Sequence, residues 1–450
     1  MLKSIATYGS AACLALAMVQ AHAKVSAEEA AKLGAALTPV GAEKAGNADK
    51  SIPEWTGGDP KEGELAGFWA PSNKYAAEQP VYTITKDNMA QYVDKLSEGH
   101  KSMLSRFATY KMPVYKTARS VGWPQEIYDA TKLNATTAEL VGGNVDSLKG
   151  AKLGFPFPMP ASGAEPVWNH RLKWRGESVR RYNNQLIVQP SGDKSFSKLI
   201  EDVKFGYASI KSPGSFEKPD EIAIYYLSET KEPPRVAGQF LLAWEHPTTR
   251  SAWIYNPGLR RIRKAPNVCC DNPYEGTDGQ QFYDQVDMFN GELGRYTWKL
   301  VGKKEMIIPY NNHKINQKGV KYDAVTKKGH LDQDYLRYEL HRVWVVEGDL
   351  RAGTNHTFKK RRFYIDEDSW AIALVDNYDK RDQLYKFQEG ALVYASNVQT
   401  VGGVPETIYD LQSGGYFVTA LFTEDKANDF SVSFESSFFT PDSVKKRTTR

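Results

Sequence analysis

The stretch Arg361-Arg362-Phe363-Tyr364-Ile365, followed by Asp366-Glu367-Asp368-Ser369 and then by Trp370 to Val375, decides the fold class. Two runs rich in aromatic and aliphatic residues flank a short polar turn, which is the pattern of a β-hairpin. Wide and branched side chains suit a pleated, half-buried surface. A second hairpin reads from Gln239 to Trp244, a turn through Glu245-His246-Pro247-Thr248-Thr249-Arg250, and Ala252 to Tyr255. Alternation places Ile222, Ile224 and Tyr226 on one strand face, and Phe240, Leu242 and Trp244 on another with Gln239 and Glu245 opposite.

Further strands are predicted at Tyr338 to Glu347, Leu384 to Phe387, Phe417 to Leu421 and Phe430 to Phe434. Successive hairpins favour an antiparallel meander, because a parallel sheet needs helix-sized crossovers. The expected class is therefore α+β, mainly antiparallel β. A sheet with so many aromatics can also wall a greasy cavity.

Upstream of about Arg175 the pattern differs. Ser26 and Glu29 form a capping box before a short helix that stops at Gly34. Residues 37–67 are rich in Gly, Pro and charge and predict an irregular arm in which Trp55 must be tucked. From Thr85 to Tyr110, Met89, Tyr92, Val93, Leu96, Met103, Leu104 and Phe107 recur at helical spacing, interrupted by Gly99. The Pro-rich run Phe155 to Pro160 then marks a boundary between a helical layer and the β-rich remainder.

At the N-terminus, Lys3, a short apolar run and Ala21-His22-Ala23 read as a signal peptide cleaved after Ala23. A lipoprotein reading at Cys13 is disfavoured, because only nine residues precede Ser10 and leave no room for an apolar core. The expected location is periplasmic, soluble or peripherally associated with the envelope. After cleavage only the adjacent Cys269 and Cys270 remain, so no disulfide framework is possible; unpaired thiols are favoured over a strained vicinal bridge. Lys plus Arg number 58 and Asp plus Glu 54, a formal charge of +4 that calls for no nucleic acid.

Catalytic motifs were sought and none emerges: no Gly-x-Ser-x-Gly, His-Glu-x-x-His, Walker-type or Gly-x-Gly-x-x-Gly pattern is present. No cofactor is expected, and catalysis is disfavoured without being excluded. The acidic turn Asp366-Glu367-Asp368 could hold calcium or form a solvated hairpin tip. The run Arg260-Arg261-Ile262-Arg263-Lys264 could meet an anionic lipid surface or guard a strand edge. Asp287 to Gly291 reads as a turn with Asn290-Gly291 supplying the positive backbone angles. Arg342 interrupts the apolar face Tyr338, Leu340, Trp344 and Val346, and either snorkels, pairs with an acid or orients a ligand head group.

Several runs together resemble one bacterial family, the exported domain-of-unknown-function family thirteen twenty-nine. They are Phe155 to Pro158 with Trp168-Asn169-His170; Tyr255 to Gly258 with Arg260-Arg261 and Ala265-Pro266-Asn267; Asp287 to Gly291 with Trp298 to Gly302; and Arg361 to Trp370. The resemblance implies a fold similar to outer-membrane lipoprotein-sorting carriers of the LolA/LolB kind, a curved half-barrel with N-terminal helices packed as plug or lid. With the boundaries read above, the expected division is a signal peptide over 1–23, an arm and helical layer over 24–160 and a β-rich half-barrel domain over 161–450. The resemblance also implies as partners an inner-membrane resistance-nodulation-division transporter and an outer-membrane barrel protein.

The leading expectation is a periplasmic carrier for a lipid or other hydrophobic molecule, serving an envelope transport system. Its candidate ligand-binding residues are Phe240, Leu242, Trp244, Trp253, Tyr255, Tyr338, Leu340, Arg342, Trp344, Phe363, Ile365 and Trp370. An enzyme acting on a lipid or envelope polymer would instead bring Glu177, Asp287 or Glu339 to His170 or His341 in one polar pocket. A scaffold would show a filled interior and an exposed apolar or basic patch.

Overall fold

A computed structural model describes residues 24–62, 69, 73–141, 144–212, 214, 221–246, 249–266 and 268–448. The expected signal peptide and Pro247-Thr248 of the second hairpin turn lie outside them. No helix among the described residues is long and apolar enough to cross a membrane.

One 15-stranded sheet organises the chain. Its first two strands are short, β1 (Tyr82–Ile84) and β2 (Met112–Val114), and a separate two-stranded ribbon is made by β3 (Glu139–Leu140) and β4 (Leu148–Lys149). A first meander follows: β5 (Ser178–Val188), β6 (Lys194–Phe205), β7 (Ile224–Glu232), β8 (Phe240–Glu245), β9 (Arg250–Asn256) and β10 (Arg261–Lys264). The second comprises β11 (Tyr296–Pro309), β12 (Tyr338–Leu350), β13 (Lys360–Asp366), β14 (Ile372–Tyr378), β15 (Leu384–Ala395), β16 (Thr400–Asp410) and β17 (Tyr416–Leu421). Strand β17 pairs antiparallel with β5, welding the meanders into one sheet, and β2 joins at Val114 opposite Tyr338.

Because β10 and β11 are consecutive in sequence yet stand at opposite ends of the meander, the sheet is open and curved rather than a closed barrel. Register shifts between Leu300 and Gly302, Gly390 and Leu392, and Val418 and Leu421 add local bends. The connector 265–295 spans the gap across one face. Gln285 Nε2 donates to Gln388 Oε1 on β15 (2.9 Å), and Asp284 Oδ2 accepts from Arg361 Nη1 on β13 (2.7 Å). Glycine makes room for it, since a Cβ on Gly390 would stand 3.2 Å from the Met288 sulfur.

Both anticipated hairpins form. In the first, Trp370 is fully buried in the turn at φ +55 rather than opening the return strand. The predicted strand Phe430 to Phe434 does not form; only Asp429 bridges to Arg180, and the segment is an irregular strap. The long helical patch of residues 85–110 divides into a 3-10 turn, Met89–Lys95, and an α-helix, Glu98–Arg106. The break falls at Leu96-Ser97, where the Ser97 side chain accepts from His100 N, and not at Gly99. Gly99 instead lies against Phe387, whose Cδ2 would be 2.0 Å from an added Cβ, while the Glu98 and Gly99 amides donate to the Asp376 carboxylate. Ser26 caps the short helix Ala27–Ala30, and Trp55 is tucked by donating to the Val121 carbonyl (3.0 Å).

The acidic turn is not a solvated tip: Asp366, Glu367 and Asp368 are all buried. Arg119 from the N-terminal layer forks onto Asp368 (2.6 and 2.8 Å), while Lys303 and Arg342 hold Glu367 (2.8 and 3.0 Å). The turn therefore ties the irregular arm to the sheet by charge-assisted bonds. The basic run occupies β10, with Arg260, Arg261, Arg263 and Lys264 exposed on the terminal strand.

Candidate ligand-binding site

A cavity of about 110 Å³ opens between the face of β5 to β8 bearing Arg181, Val203, Tyr226 and Leu241, the connector around Val268 to Asn290, and the C-terminal end of the helix Ala164–Leu172. By the roughly 30 Å³ that each water occupies in the liquid, this is room for only a few waters. Period-two alternation places its wall. Arg181, Asn183 and Gln185 face in from β5, Glu201, Val203 and Phe205 from β6, Ile224 and Tyr226 from β7, and Leu241, Ala243 and Glu245 from β8. Phe289, Val268 and Val286 add apolar surface from the connector.

The polar groups are ordered by one another. Arg181 Nη2 lies 2.7 Å from Glu201 Oε2, and Glu201 Oε1 accepts from Asn183 (2.9 Å) and Tyr226 (2.7 Å). Asn183 Oδ1 in turn accepts from Thr419 and Ala420 on β17, which fixes the amide orientation. Arg250 pairs with Glu245 at 2.6 Å. Asp287 stands at φ +52 beside Met288 at φ +65, so the left-handed angles of this turn fall there and not on Asn290-Gly291.

Asp287 Oδ2 accepts from both Lys173 (2.6 Å) and Arg175 (2.5 Å). Burial alone would raise the Asp287 carboxyl, but Lys173, Arg175 and His170 outweigh it and hold the group well below the usual carboxylate range. Glu406 moves the opposite way, pushed up to about 8 by burial and then by the Asp287 charge. It is protonated at neutral pH. Burial drives Lys173 down to about 8 and His170 down to about 3. His170 Nδ1 accepts from the Ile372 amide (3.0 Å) and Nε2 faces the Asp287 carbonyl (2.7 Å), partners that a neutral Nε2–H imidazole satisfies at once.

None of the twelve anticipated ligand residues lines this cavity. Phe240, Leu242, Trp244, Trp253 and Tyr255 project from the other face of β8 and β9, where they pack with Phe434, Phe439 and Val444 of the C-terminal strap and helix. Trp244 Nε1 donates to the Phe439 carbonyl (2.7 Å). Tyr338, Leu340, Phe363, Ile365 and Trp370 belong to the main core, and Trp344 stacks on Trp370 at 6.2 Å. Arg342 is occupied by Glu367 and by the Ala45 carbonyl (2.7 Å).

Of the acid and histidine candidates, Asp287 alone lines the cavity. Glu339 and His341 do meet, at 3.0 Å, but in the buried network around Arg337. Among the described residues the cavity lining includes no histidine, serine or cysteine. What sequence reading missed was chiefly β5 and β6. Their inward positions carry Arg181, Asn183, Gln185 and Glu201, so no hydrophobic alternation marks them; a period-two row of polar residues between Val179 and Ile187 was the available signal.

The chain belongs to the family described as Protein of unknown function (DUF1329), whose profile matches residues 83–445. It is 43% identical over 447 residues, 97% of each chain, to the Pseudomonas aeruginosa protein named Uncharacterized protein PA3922. Among solved structures it is similar to a DUF1329 family protein from Desulfovibrio piger, with 13% identity, 60% of this chain and 92% of that one covered and a TM-score of 0.41. It is also similar to a putative outer membrane lipoprotein-sorting protein domain from Vibrio parahaemolyticus, with 15% identity, 63% and 98% covered and a TM-score of 0.43.

Proposed function

We propose that this member of the family is a periplasmic carrier that holds a hydrophobic small molecule or lipid in the concavity of its open sheet. The observation that carries the reading is the cavity, where Val203, Phe205, Ile224, Leu241, Val286 and Phe289 stand beside a set of mutually paired charged and polar groups. A concave pocket that joins apolar walls to fixed polar groups is the usual form of a small-molecule site. Export through the Ala21-His22-Ala23 signal and delivery to or from a resistance-nodulation-division transporter and an outer-membrane barrel complete the proposal.

A cargo larger than the resting cavity enters by displacing the connector 265–295 or the N-terminal layer, which then act as the plug. Each methylene buried from water contributes about 0.8 kcal/mol, so a modest displacement is readily offset. Native mass spectrometry of the protein purified from periplasm without detergent, followed by solvent extraction, tests the reading. A bound apolar molecule near one per chain is expected. A clean mass that stays unchanged after incubation with envelope lipids would count against it.

A further inference from the structure

Four arginines, Arg171, Arg175, Arg181 and Arg250, and four acids, Glu201, Glu245, Asp287 and Glu406, line the cavity, with Lys173 beside them. Two cations, Lys173 and Arg175, share the single carboxylate of Asp287, and Arg171 makes no ion pair among the described residues. Asp146, the acid whose charge acts most on Arg171, is already engaged by the Leu293 and Gly294 amides (2.7 and 2.8 Å). Glu245 belongs to Arg250. Three buried guanidinium nitrogens, Arg171 Nη1, Arg175 Nε and Arg181 Nε, have no hydrogen-bond partner among the described residues.

A buried N–H of this kind costs free energy unless an acceptor reaches it, and a guanidinium is the side chain best matched to planar oxyanions. Arg171 also lies over the Trp168 ring at 4.6 Å, which holds its fork in place. From this we infer that the cargo of the proposed carrier is an amphiphile with an anionic head, a carboxylate or a phosphate, seated among Arg171, Arg175 and Arg181 with its tail along Phe205, Leu241 and Phe289. The inference rests on the carrier reading. Burial and the Asp287 charge push the Glu406 carboxyl up to about 8, so near neutral pH the four lining arginines face three ready carboxylates.

The test uses the full chain and four probes in titration calorimetry: dodecanoate, dodecyl phosphate, dodecanol and inorganic phosphate. At least one of the two anionic amphiphiles is expected to bind ten or more times tighter than dodecanol. Arg171→Gln should remove most of that factor. The wild-type comparison stands whether or not the variant folds. Equal affinity for dodecanol and both anionic amphiphiles would overturn the head-group inference and leave the carrier standing. Binding of no amphiphile would overturn both, and inorganic phosphate binding as tightly as dodecyl phosphate would make this a small-anion site instead.

Discussion

Replacing Glu406 by Gln should stabilise the protein, and by an amount that depends on pH in a defined way. The folded state holds this carboxyl protonated, with its pKa pushed up to about 8, whereas in the unfolded chain it ionises near 4.5. Because the folded value is the higher one, its contribution is fully present below about pH 4.5 and is lost as pH rises to about 8. At pH 7 the cost is about 1.36 kcal/mol for each of the 2.5 pH units above 4.5, or about 3 kcal/mol. Glutamine is neutral and of similar shape, and its carbonyl can still accept from the Met288 amide that now faces Glu406 Oε2 at 3.3 Å. E406Q should therefore match the wild type near pH 4.5 and exceed it by about 3 kcal/mol at pH 7. The assay is urea denaturation at half-unit steps from pH 4.5 to 8, with equal slopes required of both proteins. His170 and Lys173 titrate in both, so the difference between the curves isolates Glu406. Parallel curves across that range would refute the reasoning.

Three further substitutions probe other parts of the fold. Gly99→Ala drives a methyl into the Phe387 ring and should cost about 1–3 kcal/mol, seen as a lowered denaturation midpoint. Arg119→Ala leaves Asp368 buried without its fork and should cost about 3–5 kcal/mol, whereas an unchanged thermal midpoint would show that the arm is not anchored there. Phe439→Ala removes the fully buried ring that covers Phe240 and Leu242; it should cost about 3–5 kcal/mol and increase binding of a hydrophobic dye to the outer sheet face.

The sheet was legible in sequence where one face is apolar and the other polar or where a hairpin is short. The Phe363 and Leu374 runs and the Phe240 to Tyr255 hairpin announce themselves in this way, and local chemistry suffices for them. Family membership was legible too, because several short motifs recur in fixed order over the β-rich chain. The cavity was not. Alternation states that Leu241 and Leu242 face opposite ways, but it is symmetric between the two sides and does not say which side is covered by what. Here the C-terminal strap claims Leu242 and the connector claims Leu241, and each lies far from its partner in sequence.

Polarity misled for the same reason. The polar row Arg181, Asn183 and Gln185 on β5 reads locally as solvent-facing, and only the return of β17 beside β5 and the passage of the connector over both turn that row into the wall of the cavity. The buried acidic turn repeats the point, since Asp366 to Asp368 look solvated until Arg119, Lys303 and Arg342 arrive from three distant segments. By itself the amino-acid sequence determined the antiparallel strands and the family, because backbone preference and short-range pattern decide those. Which face is interior, which charges are paired and where a ligand could sit were decided by tertiary structure alone, because desolvation and ion pairing depend on neighbours that only the folded chain brings together.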